Sequence, residues 1–526
     1  MERVSEQLKN LTQISIALSA EKDIDKFFKM VLKEAINHTN ADGGTIYTVS
    51  EDKKYLEFRI ICNRSMGVKL TSIKNFDDWR SIPLYNDEGK MMMRNFVSYV
   101  YHTKMPANID DVYEQDFFDS SGTREYDKDH NYRSKSMVAI PLKNHENEVL
   151  GVIQLINAMD ENNKIVSFTQ EEITMLSSLA SQAAIALSNK KLIKNLENLL
   201  YDFIKAIADA IDRKSSYTSG HINRVVTITE MIAKKIQNDE TFYKKIKFSK
   251  DEIEEIRIAS WMHDVGKITT PVHIMDKAYK LETIVDRIDM IELRTRMIIA
   301  LIDKDLQIYN EDKIKCKKLR KLRKQLVQDF GFLEKINIGT EFMSEEYLQR
   351  LEKIARFEYK TDGKTYRILN EAEKNNLAIR KGTLLKKEIE KMHEHVLVTH
   401  EMLENLSFPK KFKNVPKYAS SHHEKLNGKG YPIGLSADKL PIQARIIAIA
   451  DLFEALTASD RPYKKGKSLS ETLKIMAFCA RDGEIDKYLL DFFIDSELYL
   501  DYADKYLKKF QIDIIDVDRI KKIYHH

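Results

Sequence analysis

Trp261-Met262-His263-Asp264-Val265-Gly266-Lys267 sets an imidazole beside a carboxylate at the end of an apolar helical stripe. Ile253, Ile256 and Ser260 precede His263 at helical spacing and share its face. An inward Asp directly after an inward His is costly, because a buried carboxylate must be paired or bound to metal. Three other segments extend the pattern. Gly220 opens a helix whose inner face carries Val225, Ile228 and Ile232, and His221 falls on that face. His395 shares a helix face with Met392 and Thr399. Ser421-His422-His423-Glu424 runs through Gly428 to Gly430-Tyr431-Pro432, which reads as a turn leaving a helix. On a helix, adjacent residues point about 100° apart, so His422 and His423 would line one site without easily chelating one ion. Asp451 shares a face with Ala444, Ile447, Ala448 and Ala455. Taken alone, His221 reads as a core histidine and Asp451 as the partner of an Arg. Five imidazoles and two carboxylates on inward faces together point to metal. The donor set suits Fe, Mn, Zn or Ni and disfavours Mg or Ca. Its size exceeds one tetrahedral site and fits two divalent ions.

Away from this cluster the chain divides into unlike parts. Residues 1–20 read as a short helix with Val4, Leu8, Leu11 and Leu18 on one side. Thr45 to Val49 and Met137 to Leu142 read as strands. The second, with Val149 to Ile156 beyond a short polar turn, predicts an antiparallel hairpin. Residues 169–212 read as one long helix begun by Thr169 and Glu172 in capping-box spacing. Along it Leu192, Leu196, Leu199, Phe203, Ala206 and Ala210 alternate by four and three, a coiled-coil seam that suggests a homodimer. Residues 213–526 look almost wholly helical. Within them 276–388 stands apart, with Leu281, Ile284, Ile288, Ile291, Thr295, Ile298 and Ile302 predicting a long helix of a helical hairpin. Eight of the twelve residues from Lys313 to Lys324 are basic, normally the mark of a solvated face.

At 526 residues the chain implies three to four units, taking roughly 100–200 residues per domain. Apolar residues make up 43%, which supports ordinary cores and excludes wholesale disorder. The formal charge of +4 gives no general drive toward nucleic acid or a membrane, and neither is expected as a partner. With 9 Pro and 17 Gly, long helices are favoured over a turn-rich β protein. Cys62, Cys316 and Cys479 form no CxxC pair, which fits a reducing cytosol. A charged N-terminus and the lack of any apolar run of about 18 residues suggest a cytoplasmic protein.

Residues 15–190 resemble a GAF domain, chiefly in Ser136 to Leu142 leading into Gly151 to Ala158. The resemblance implies an α/β sensor with an antiparallel sheet, flanking helices and an unidentified small-molecule ligand, if any. Asn157, Phe168 and Glu172 are candidates for its cyclic-nucleotide signature, but Ala158 stands where that signature has Lys. Residues 200–275 and 384–480 resemble the HD-GYP family of metal-dependent cyclic-di-GMP phosphodiesterases. The match runs from Tyr217-Thr218-Ser219-Gly220-His221 through His263-Asp264-Val265-Gly266-Lys267, His422-His423-Glu424 and Gly430-Tyr431-Pro432. It ends on Arg445 to Asp451, Ala455-Leu456-Thr457 and Arg461-Pro462-Tyr463-Lys464.

This second resemblance implies metal ligands at His221, His263, Asp264, His395, His422, His423 and Asp451. Asp264 would be shared between an ion held by His221, His263 and Asp451 and another held by His395, His422 and His423. It further implies Asp264 and Lys267 as catalytic residues, and Lys267, Tyr431, Arg461 and Lys464 as substrate-binding residues. His273, His393 and His400 fall off the matching positions and are read as bystanders. Some members bind a third ion through a Glu four residues before the first His. Tyr217 occupies that position, so two ions are expected. The resulting organisation is a GAF-like unit with its N-terminal helix at 1–190 and a connecting helix at 191–212. An all-α HD-type domain follows at 213–275 and 389–526, with a helical insertion of unknown role at 276–388. Expected products are the linear dinucleotide pGpG and GMP. Cyclic GMP-AMP phosphodiesterase and non-catalytic cyclic-di-GMP receptor are the alternatives.

Overall fold

The computed structural model describes residues 23–73, 81–115, 118–214, 220–339, 342–459 and 466–525. The helix expected at 1–20, Tyr217, Arg461 and Lys464 lie outside them. Two compact units are present, 1–199 and 200–526.

In the first unit, strands β1 (Ala41–Val49), β2 (Tyr55–Asn63), β3 (Val68–Ser72), β5 (Ala107–Ile109), β6 (Met137–Lys143) and β7 (Val149–Met159) form an antiparallel sheet in the order 3-2-1-7-6-5. Short β4 (Ile82–Pro83) joins β2, and β8 (Ile165–Val166) joins β7. Register explains the alternation of its side chains. Ile46 pairs with Ile153, and Ile153 with Ile140, so one face presents a row of branched residues. That face packs on α1 (Ile24–Thr39) through Phe28, Val31 and Leu32, and on the start of α4 (Gln170–Asp212) through Leu176, Ala180 and Ala183. Residues one step along each strand, such as Tyr47, Val152 and Ala139, point to the opposite face. There they meet Phe96, Val97 and Val100 of α2 (Phe96–Thr103). A further helix, α3 (Ser121–Asp129), precedes β6.

The three signature-like residues of this unit already have structural partners. Asn157 donates through Nδ2 to the Tyr132 hydroxyl at 2.9 Å and the Arg133 carbonyl at 2.8 Å, and accepts from the Lys135 amide. Phe168 is buried in the sheet–helix core. Glu172 accepts from the Thr169 amide at 2.7 Å, closing the N-terminus of α4.

In the second unit, α5 (His221–Gln237), α6 (Lys250–Met262), α11 (Lys386–Glu404), α12 (Val415–Ala419) and α13 (Ile442–Thr457) surround the histidine cluster. Their outer layers are helices α14 (Leu469–Arg481), α15 (Lys487–Asp495) and α16 (Leu498–Tyr506). Leu473, Met476, Leu489, Phe493 and Tyr502 from those layers share one core with Val225, Ile228 and Phe453.

Residues 276–388 have their own core. Its helical hairpin is α7 (Ile288–Ile308) against α8 (Lys313–Asn337), followed by α9 (Glu345–Ala355) and α10 (Glu371–Leu377). One expectation needs correction here. Helix α7 starts at Ile288, so Leu281 is buried ahead of it and Ile284 is 94% exposed, off the stripe. Residues 213–526 are mostly helical, as expected, and this region adds one short exception. β9 (Glu358–Thr361) and β10 (Lys364–Arg367) form a hairpin around Asp362-Gly363, both at positive φ, the backbone that two-residue hairpin turns require.

Candidate metal centre

The five histidines enter the cluster from four supports, His422 and His423 sharing one turn. His221 is the first residue of α5. Helix α6 starts with a capping box between Ser249 and Glu252 and ends at Met262, so His263 and Asp264 leave its last turn together. The chain then tightens into a 3-10 turn, Val265–Thr269, against α11. Gly266 permits this approach: a Cβ there would lie 1.9 Å from the His395 carbonyl oxygen and 2.6 Å from the Thr399 amide nitrogen. Thr399 completes the joint. Its hydroxyl accepts from the Gly266 amide at 2.9 Å and donates to the His263 carbonyl at 3.2 Å.

The ring orientations are set from behind. Nδ1 of His263 bonds to the Ser260 carbonyl at 2.7 Å, and Nδ1 of His422 to the Ala419 carbonyl at 2.7 Å. Nδ1 of His395 is held by the Met392 carbonyl and that of His221 by the Glu454 carboxylate. The Nε2 atoms of these four rings therefore face inward, the arrangement by which outer partners fix ligating histidines.

Asp264 stands between two groups. Its Oδ2 lies 3.2 Å from His263 Nε2 and 3.6 Å from His221 Nε2. Its Oδ1 lies 3.3 Å from His395 Nε2 and 3.9 Å from His422 Nε2. Asp451 Oδ1 is 3.3 Å from His221 and 3.8 Å from His263. Donor atoms lie within 4.8 Å of one another in each of the trios His221–His263–Asp451 and His395–His422–His423. They do so again in His263–Asp264–His422.

This geometry corrects the helical reading of His422 and His423. Helix α12 ends at Ala419, and both residues sit in the turn that follows. The 100° separation of a helix does not apply there, and both rings reach the same trio as His395.

The electrostatics divide along the same line. Burial works to lower the pKa of His221, but Glu454, Asp264 and Asp451 outweigh it and hold the ring well above its usual value. Burial followed by repulsion from His423 and His263 holds His422 well below the usual value. Burial pushes His423 down to about 3. Burial would raise Asp264, yet Lys267 and His263 keep it ionised far below the ordinary carboxylate range. Neutral imidazoles and ionised carboxylates are the forms that bind metal, so His422, His423 and Asp264 are ready for it, whereas the His221 ring would have to release its proton to an incoming cation.

The donors fit metal on a second count. Nε2 of His263, His395 and His422 and Oδ1 of Asp264 are buried with no hydrogen-bond partner among the described residues. Leaving four such atoms unsatisfied is expensive in a native core, and a cation shared among them removes the deficit.

Around the trios, Lys267 Nζ donates to Asp264 Oδ2 at 2.5 Å. Tyr431 lies beside the second trio, its ring centroid 4.8 Å from that of His423. The turn carrying it is anchored by Glu424, whose carboxylate accepts from the amides of Ile433 at 2.8 Å, Gly434 at 3.2 Å and Leu435 at 2.8 Å.

Three residues near the cluster were not assigned a part. Glu454 is 1% exposed and joins His221 to Arg224, whose Nε donates to it at 2.6 Å. Its signal was a second carboxylate three residues after Asp451 on an apolar helix. Glu424 carried a weaker one, an acid directly before a Gly-rich turn. His393, read as a bystander, stacks on Tyr431 with ring centroids 3.8 Å apart at 13°. No periodicity links those two positions. His400 faces Ser420, 3.3 Å from its hydroxyl, and His273 is exposed.

Residues 23–187 match the GAF domain family model, and residues 372–489 match an HD domain model. The chain carries a GAF domain and an HD domain. The 3′3′-cGAMP-specific phosphodiesterase 3 of Vibrio cholerae is 37% identical over 102 residues, 19% of this chain and 21% of that protein. A probable cyclic di-GMP phosphodiesterase of the same organism is 35% identical over 138 residues, 25% of this chain and 31% of that protein. The chain thus spans under a third of the length of either relative. Among solved structures, the GAF domain of an Acinetobacter phosphoenolpyruvate-protein phosphotransferase aligns over 36% of this chain and 98% of its own. Its identity is 13% and its TM-score 0.25. No helix among the described residues is long and apolar enough to cross a membrane.

Proposed function

We propose that the chain is a metal-dependent phosphodiesterase that opens cyclic-di-GMP to pGpG and onward to GMP, under the control of its GAF domain. The observation that carries this reading is Asp264, whose two oxygens face two different histidine groups. His221, His263 and Asp451 would hold one divalent ion and His395, His422 and His423 a second, with Asp264 shared. Fe and Mn suit this donor set best, with Zn and Ni also compatible. Two such ions supply an activated water and neutralise charge on a phosphodiester.

The remaining chemistry belongs to the chain. Asp264 is kept ionised by Lys267, so its carboxylate stays available on both sides. The Lys267 ammonium would neutralise charge on a phosphate oxygen. Tyr431, braced by His393, offers a flat face for a base. Arg461 and Lys464 are assigned to phosphate from their sequence positions, Arg because its planar fork matches phosphate oxygens. A second copy of the chain is proposed to pair along α4, where Leu192, Leu196, Leu199 and Phe203 are each more than half exposed.

Cyclic GMP-AMP is the second substrate reading, favoured by the likeness to the 3′3′-cGAMP-specific phosphodiesterase 3 of Vibrio cholerae. The test is turnover by Mn- or Fe-loaded full-length protein, with cyclic-di-GMP and 3′3′-cyclic GMP-AMP assayed in parallel. Faster opening of cyclic-di-GMP, abolished in Asp264→Ala along with metal content, is the expected result. Tight binding of the dinucleotide without hydrolysis would instead show a receptor.

A further inference from the structure

Lys214 follows the last residue of α4 by two positions. Its Nζ donates to three backbone carbonyls, those of Lys267 at 3.0 Å, Ile268 at 2.6 Å and Thr270 at 2.7 Å. These oxygens lie at the end of the 3-10 turn Val265–Thr269. The Lys267 carbonyl also accepts from the Thr270 amide at 3.0 Å, and a cation is favoured at the carbonyl end of such a turn. The same short turn begins beside Asp264 and includes Lys267.

A second tie lies two residues earlier. Asp212 Oδ2 accepts from the Gly220 amide at 2.6 Å, at the residue that opens α5 ahead of His221. Behind both ties, Ile204 and Ile211 of α4 share a core with Met262, Val265, Ala419 and Ile447. Those side chains belong to the segments that carry His263 and Asp264, His422 and His423, and Asp451. The end of the helix leading out of the GAF domain is thus fastened to the supports of the donor cluster, and Lys214 is its most direct link to a reacting segment.

We infer that Lys214 is a positioning residue. By gathering the carbonyls of Lys267, Ile268 and Thr270, it sets where the Lys267 ammonium and the Asp264 carboxylate stand, so that the placement of α4 governs turnover. The inference rests on the phosphodiesterase reading for its kinetic consequence. A residue that merely closes a helix end would affect stability and leave the reaction of folded protein intact.

Full-length Lys214→Met keeps the aliphatic stem and removes all three donors, while Lys214→Arg keeps a cation that can reach the same carbonyls. Both variants are compared with wild type by metal content, by amide hydrogen exchange in peptides covering 263–272, and by kcat and KM on cyclic-di-GMP. Lys214→Met is expected to keep its metal, to exchange faster at 265–270, and to lose kcat by about tenfold to a hundredfold, as misplacement of a reacting group does. Lys214→Arg is expected to restore most of both losses. Wild-type exchange together with wild-type kcat in Lys214→Met would overturn the inference. So would a fall in activity that tracks the folded fraction alone. A wild-type protein that opens no cyclic dinucleotide would instead sink the phosphodiesterase reading, and the exchange comparison would then decide the role of Lys214 alone.

Discussion

At the scale of single residues, the donor cluster depends on backbone contacts as much as on ligands. Gly266 shows this most directly. The helix bearing His395 passes so close that any Cβ at 266 meets backbone atoms, which cannot rotate away. Gly266→Ala is therefore expected to destabilise the second unit by about 3 kcal/mol, the upper range for overpacking. The same change should lower metal content, because relief of the clash must part His263 from His395. Thermal melting with elemental analysis checks both, and an unchanged midpoint would show that the turn yields freely. The adjacent His263 and Asp264 were legible in sequence because two inward polar residues side by side leave few structural explanations. Glu454 was harder to see, since its partners His221 and Arg224 lie more than 200 positions away. The stack of His393 on Tyr431 depends on a turn whose path is set by Glu424, which periodicity does not reveal.

Single elements were most readable where one face meets one neighbour. The strands β6 and β7, the length of α4 and the α7–α8 hairpin all follow from simple apolar periods. Departures came where the chain leaves regular structure: the Asp362-Gly363 turn, the late start of α7 at Ile288, and the turn that brings His422 and His423 together. Helix α4 presents two apolar stripes rather than one. Ile204, Ala208 and Ile211 are buried, whereas Leu196 and Leu199 are each 64% exposed and Phe203 59%. This solvated stripe is where the proposed homodimer would pair, as the seam of a coiled coil. Leu196→Glu with Leu199→Glu should convert a dimer to a monomer in sedimentation at micromolar concentration. It should leave the melting of both units nearly unchanged, because neither side chain lies in a core. A wild-type monomer under those conditions, or a double variant that remains dimeric, would remove the seam from α4.

Across the whole molecule, the two units have separate cores, and among the described residues only the second contains the donor cluster. Metal should therefore act on stability unequally. A ligand that binds only the folded state stabilises it by RT ln(1 + [L]/Kd), about 2.7 kcal/mol per site at a free concentration a hundredfold above Kd. Two sites give about 5 kcal/mol, all of it in residues 200–526. Calorimetry of full-length protein before and after chelation should thus show one transition falling by many degrees and another staying in place, with readdition of Mn restoring the first. Elemental analysis of the same sample should find two ions per chain, since Tyr217 offers a neutral phenol where a third ion would need a carboxylate. Equal shifts in both transitions would mean that the units melt as one. No shift in either would mean that the histidine cluster holds itself together without metal, and the reading built on Asp264 would fall with it.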